Sequence, residues 1–124
     1  MRRLLALPAA LVLAALAGSA FAADVSGTWL RDTGASKVRF SKCGAALCGH
    51  IAWLKPGAET KAKVGQRIFF DMKPSGDNAW SGSAFNPDDG KTYTGKMTLS
   101  GDTLTTAGCV MGVICKSTTW TRSN

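Results

Sequence analysis

Ser36-Lys37-Val38-Arg39-Phe40-Ser41-Lys42-Cys43 runs through Gly44-Ala45 into Ala46-Leu47-Cys48-Gly49-His50-Ile51-Ala52-Trp53-Leu54. Side chains in an extended segment alternate between two faces. Val38 and Phe40 therefore share one face, and Lys37, Arg39 and Ser41 share the other. In the second half Leu47, Gly49, Ile51 and Trp53 share a face, opposite Cys48, His50 and Ala52. The glycine between the halves supplies a tight reversal. Pairing Cys43 with Cys48 across this hairpin predicts Phe40 opposite Ile51 and Val38 opposite Trp53 on the apolar side.

The same test applied near the end of the chain gives the same answer. Pairing Cys109 with Cys115 sets Leu104 opposite Trp120 and leaves both cysteines on the face away from them. Two hairpins thus accept a local disulfide without breaking their apolar faces, which favours Cys43–Cys48 and Cys109–Cys115 over crossed pairings. Lys116 falls on the Trp120 face, so a bulge or a rim position is predicted there. These spacings are not the C-x2-C of a structural zinc site, and with one histidine in the chain no metal site and no cofactor are expected.

Between the hairpins, turn residues recur every ten or so positions, as at Ser75-Gly76-Asp77-Asn78, Asn86-Pro87-Asp88-Asp89-Gly90 and Ser100-Gly101-Asp102. The intervening segments are short and rich in β-branched and aromatic residues, the pattern of an all-β sandwich or barrel. Eight strands are predicted, at about 26–32, 36–43, 47–54, 66–73, 78–85, 91–99, 102–109 and 113–122. Residues 58–64 suit a short helical turn. Eight sequential strands with short connections close as an antiparallel up-and-down barrel, which removes exposed edges. Such a barrel is either filled by its own side chains or holds one small ligand. The inward glycines Gly49, Gly82, Gly95 and Gly108 fit both versions, either opening space or letting strands bend.

The first residues read as an address. Arg2 and Arg3 precede an apolar run at 4–17 and the small-residue site Ala20-Phe21-Ala22, the three parts of a signal peptide. Cleavage after Ala22 leaves residues 23–124 as a single barrel domain. Of 15 basic side chains two are then lost and all eight acidic ones kept, a formal charge of +5. That charge is scattered, and a periplasmic or secreted location with paired cysteines argues against a nucleic-acid reader. No transmembrane segment remains after cleavage.

Gly27-Thr28-Trp29 at the start and Trp120-Thr121-Arg122 at the end resemble the corresponding strands of the lipocalin and avidin barrels. In that resemblance Trp29 plugs one barrel end and Arg122 packs over it as a structural pair. The whole of 25–122 resembles the exported bacterial family catalogued as domain of unknown function 2147. The match runs through Cys43-Gly44-Ala45-Ala46-Leu47-Cys48-Gly49, Trp80-Ser81-Gly82, Asn86-Pro87-Asp88-Asp89-Gly90-Lys91-Thr92-Tyr93, Leu104 and Gly108-Cys109. It departs at 55–67, a loop shorter and less acidic than is usual there. The resemblance implies a lipocalin-like barrel outside the cytoplasm and no particular chemistry.

Residues suited to chemistry are few. His50 reads as a surface histidine, with Ser41 its nearest predicted cross-strand neighbour, and no catalytic residue is expected. Asn86-Pro87-Asp88-Asp89-Gly90 reads as a tight turn rather than a calcium loop, lacking the spaced carboxylates of one. Phe40, Trp53, Phe70, Met72, Trp80, Tyr93 and Met97 are the predicted lining of any interior pocket, a set suited to an apolar ligand. Lys42 and Lys116, near the barrel ends, are placed to meet a ligand carboxylate. The expectation is a non-catalytic binding module for a small apolar or amphipathic molecule. The alternative is a filled barrel that meets an envelope protein through its rim loops.

Overall fold

Short connections between strongly alternating segments leave the chain one economical topology, in which each strand pairs with the next. The computed structural model describes residues 24–123, so the predicted signal peptide at 1–22 lies outside the described residues. The strands are β1 (Gly27–Arg31), β2 (Ser36–Cys43), β3 (Ala46–Leu54), β4 (Arg67–Gly76), β5 (Ala79–Asn86), β6 (Lys91–Ser100), β7 (Thr103–Val110) and β8 (Ile114–Ser123). They form a closed antiparallel barrel in sequence order, with β8 returning to pair with β1. Among the described residues there is no helix, and 58–64 form an irregular loop instead of the predicted helical turn.

Two cross-strand disulfides staple the first and last hairpins, Cys43–Cys48 and Cys109–Cys115. The last hairpin has the predicted register, with Leu104 opposite Trp120 and Cys109 opposite Cys115. No bulge interrupts it, and Lys116 sits exposed at the rim. The first hairpin differs by two residues. Its Gly44-Ala45 turn, with Gly44 at φ +70°, makes Cys43 face Ala46 and Cys48 face Ser41. Phe40 consequently lies opposite Gly49, and Val38 opposite Ile51. The tight turn sets the register, and the disulfide bridges residues that are not direct partners.

Irregularities in β3 and β4 re-aim two aromatic residues. The register slips between Lys37 and Val38, so that Ala52 is extra on β3. Trp53 then points outward, where the Lys37 ammonium lies 5.5 Å from its ring centroid. On β4, Gly49 opposes Phe69 while His50 opposes Arg67, so both Ile68 and Phe69 turn inward. Asp71 and Met72 together oppose Gly82, with Asp71 at φ +51°. Phe70 is thereby left on the outer face, beneath the Arg67 guanidinium at 5.6 Å.

The middle of the barrel is solid. Val38, Phe40, Met72, Met97 and Leu104 are fully buried there, as is Trp29 toward one end. Phe40 and Phe69 meet as a tilted pair with centroids 5.1 Å apart, over a Gly49 whose added Cβ would fall 2.8 Å from Phe40. A Cβ on Gly82 would fall 2.4 Å from the Phe70 carbonyl oxygen, because the β4 bulge crowds against it. These two glycines make room for neighbouring protein groups rather than for a ligand.

Gly82→Ala is therefore expected to lower stability by about 2 kcal/mol, the scale of overpacking against unyielding backbone. Gly76→Ala, whose Cβ would meet only Ala79 at 3.9 Å, is expected to change it by under about 0.5 kcal/mol. Denaturant unfolding of the two variants makes the comparison, and equal effects would contradict the bulge geometry.

Candidate ligand-binding site

Strand parity puts Gly27, Trp29 and Arg31 of β1 on the inner face, and these residues mark the two ends of the barrel. At the closed end the Trp29 indole donates to the Val25 carbonyl at 2.9 Å. The Arg122 guanidinium covers the ring at 4.3 Å from its centroid. Arg122 also donates to the carbonyls of Ser26 at 3.3 Å and Asp24 at 3.0 Å, and pairs with Asp102 at 3.3 Å. Residues 24–26 are thus drawn across the barrel end, with the Val25 side chain buried. The exposed Arg122–Asp102 pair contributes little by itself. The carbonyl bonds and the stacking on indole position the strap.

The opposite end is open and carries a cavity of about 630 Å³. Ile51, Ile68, Phe69 and Trp120 supply its apolar surface, with Arg31 and Thr106 among its polar groups. The buried Thr106 hydroxyl accepts a hydrogen bond from the Trp120 indole at 2.9 Å, which fixes the ring. Arg31, directly opposite Trp120 in the ladder, differs. Its Nε is buried and has no hydrogen-bond partner in the protein. Buried donors are nearly always satisfied, so an orphan on the wall of a cavity is informative.

The mouth is built from the 55–66 loop and the β5–β6 turn. The Asp88 carboxylate accepts from the Thr60 hydroxyl at 2.9 Å and from the Lys61 amide at 2.7 Å, tying the loop to the turn. Gly65 donates to the Ile51 carbonyl and Lys55 to that of Ala35, anchoring the loop's two ends. The Asn86–Gly90 segment is a tight turn, with Gly90 at φ +71° and its amide bonded to the Asn86 carbonyl. Asp89 accepts a hydrogen bond from the Tyr93 phenol and a second from the Lys91 amide. The phenol and then the amide hold the Asp89 carboxyl below its ordinary value. The carboxylate in turn pushes the Tyr93 phenol up.

The seven aromatic and methionine residues predicted as a lining are divided by the structure. Tyr93 borders the open cavity. Met72 and Trp80 border a smaller recess of about 300 Å³ at the closed end, beside Lys42. Phe40 and Met97 fill the solid middle, while Trp53 and Phe70 are turned outside by the irregularities in β3 and β4. Lys116 stands at the cavity mouth. His50 lies opposite Arg39 and accepts from Arg67 at 3.4 Å, while Ser41 opposes Cys48, so no Ser–His pair forms. Arg31 and Phe69 were not among the sequence candidates. Arg31's parity with Trp29 was the available signal, two residues on in the same strand. No cluster of three or more metal-binding side chains occurs among the described residues.

The chain belongs to the family described as uncharacterised protein conserved in bacteria (DUF2147), whose model matches residues 27–122. Its barrel is similar to that of protein HP1028 from the human pathogen Helicobacter pylori, described as belonging to the lipocalin family. The two share 18% identity with a TM-score of 0.68, over 83% of this chain and 85% of the other. At that identity the likeness is one of fold. No curated protein matches the sequence.

Tyr93 is the only tyrosine in the sequence, so phenolate absorbance reports this one group. Its titration is expected above the ordinary value of 10.0 and to return toward it in Asp89→Asn. The raised phenol stabilises the fold at pH below its unfolded value, and that contribution is lost as pH rises through the folded one. The lowered Asp89 carboxyl acts with opposite sign, stabilising above 3.8 and losing its effect as pH falls through the lowered value. An unshifted Tyr93 midpoint in the unaltered protein would rule out the bond.

Proposed function

We propose that the protein is an exported, non-catalytic binding module that holds one small amphipathic molecule in the open end of its barrel. The supporting observation is the unpartnered Arg31 Nε in the wall of a cavity of about 630 Å³. That volume lies within the range that accommodates a small organic ligand. An apolar ligand body would rest against Ile51, Phe69 and Trp120, and an acceptor, best a carboxylate, would meet Arg31. Leaving such a donor dry costs on the order of 1–3 kcal/mol, and a hydrogen bond from a charged donor to the ligand recovers it.

Two disulfides and a bacterial family are compatible with an oxidising compartment. With the signal-peptide pattern at 1–22, they support a periplasmic or secreted mature chain, one barrel domain at 23–124. The polar groups of the cavity include Arg31, Ser36, Tyr93 and Thr106, with the carboxylates of Glu59, Asp88 and Asp89 at its mouth. Asp88 and Asp89 are already bound to protein groups, which supports holding rather than turnover.

The proposal is tested by fluorescence titration with cis-parinaric acid and its methyl ester. The unaltered protein is expected to bind the acid more tightly than the ester. Arg31→Met is expected to weaken acid binding about tenfold or more and ester binding little, the scale of one charge-assisted hydrogen bond. Because the orphaned donor is removed, thermal stability of the variant is expected to hold or rise. Equal binding of acid and ester, or no binding of either, would sink the assignment.

A further inference from the structure

The turn between β7 and β8 is the most apolar exposed feature of the described residues. Met111 is 91% exposed, Val113 78% and Ile114 75%, with Val110 beside them at 47%. Isolated exposed apolar residues are ordinary, but a contiguous run at the apex of a hairpin marks a contact surface. This apex is also rigidly built. The Cys109–Cys115 bridge closes it one step below. Met111 and Gly112 take φ values of +54° and +70°, and the Val113 amide bonds to the Val110 carbonyl at 3.2 Å. The Lys96 ammonium reaches the Gly112 carbonyl at 3.4 Å. The apolar side chains are therefore held out in water by construction, and ordering them on contact costs little further entropy.

We propose that this stapled turn is a membrane anchor that inserts into an anionic lipid surface and sets the barrel mouth against the bilayer. Shape and size favour lipid over a protein partner. A stable protein contact needs about 800 Å² from each side, more than a five-residue turn presents. The apex is convex, and Val110 pairs with Ile114 below a Met111–Gly112–Val113 tip. Such a tip suits a fluid acyl boundary better than a flat docking face. Charge identifies the lipid. Lys96 and Lys116 flank the turn, and the chain from Thr103 to Asn124 contains no Asp or Glu. The acidic groups of the mouth, Glu59, Asp88 and Asp89, lie on the 55–66 loop and the β5–β6 turn and not on this hairpin. Each lysine near an anionic surface raises partitioning about fivefold. Val110 and Ile114 also border the open cavity, so insertion would bring its mouth to the lipid. The anchor does not depend on what the cavity holds.

The test is sedimentation of the mature chain with vesicles of phosphatidylcholine alone or mixed equally with phosphatidylglycerol. Binding is expected only with the anionic lipid and to fall as salt is raised. Met111→Asp with Val113→Asp is expected to weaken it about tenfold or more. Lys116→Glu is expected to weaken it by several-fold, with the thermal unfolding of both variants unchanged. Equal sedimentation of the unaltered and doubly substituted chains would overturn the proposal. So would ultracentrifugation showing that the turn joins two copies of the chain, dissociating when Met111 and Val113 are replaced.

Discussion

The seam between β1 and β8 is the contact on which the barrel depends. It comprises four residue pairs, from Thr28 with Ser123 to Arg31 with Trp120, and it joins the first strand to the last. Without it both strands would be open edges, with unpaired amides and carbonyls along their length. The seam also orders the interior. Trp29 and Arg31 on one side, and Trp120 and Arg122 on the other, bring two indoles and two guanidiniums to one strip of wall. One guanidinium, Arg122, lies over an indole and binds carbonyls that close an end of the barrel. The other, Arg31, has a buried nitrogen that no protein group meets. Similar side chains two steps apart thus have different surroundings, one bonded to carbonyls that close the barrel and the other set in the wall of the cavity.

The two halves of the interior follow from this division. Below the Phe40–Phe69 pair the volume is occupied by Met72, Met97, Leu104 and Trp29, with only the small recess beside Lys42 at the closed end. Above it the strands reach past the packed layer to the loops of the mouth, and the cavity opens. The packed half carries fully buried apolar side chains, while the open half carries the buried nitrogen of Arg31 that lacks a protein partner. Because the packed layer and the mouth are separated along the barrel axis, the mouth loops can vary without disturbing the core.

The strands and their order were legible because turn chemistry and two-residue alternation are local. Every predicted strand overlaps its counterpart, and the Leu104–Trp120 register followed correctly from the last two cysteines. The first hairpin was misregistered for a physical reason. A disulfide tolerates partners that are not directly opposed, whereas the Gly44 turn does not tolerate a different loop length. Trp53 and Phe70 were misplaced because bulges at Ala52 and in β4 reverse parity. Their causes are nonlocal, arising where a coiled sheet must bend to close. The adjacent Phe69 and Phe70 are indistinguishable by composition. Their difference lies in which one has Gly49 across from it. Arg31 was legible by parity but is the wrong residue type for a core, which is why alternation of apolar residues passed over it.

Both disulfides join cysteines only five or six positions apart. Loops that short restrict the unfolded chain modestly, by about 2 kcal/mol each against about 4.7 for a loop of a hundred residues. Their larger consequence concerns assembly. Each bridge needs only its own hairpin, so it can form as soon as that stretch of chain meets an oxidant, before the rest has arrived. The first pair can be sealed while β8 is still unmade, and no cysteine has to wait for a distant partner. Mispairing between the hairpins is then suppressed by timing as well as by geometry, leaving closure of the barrel as the one step that needs the whole chain.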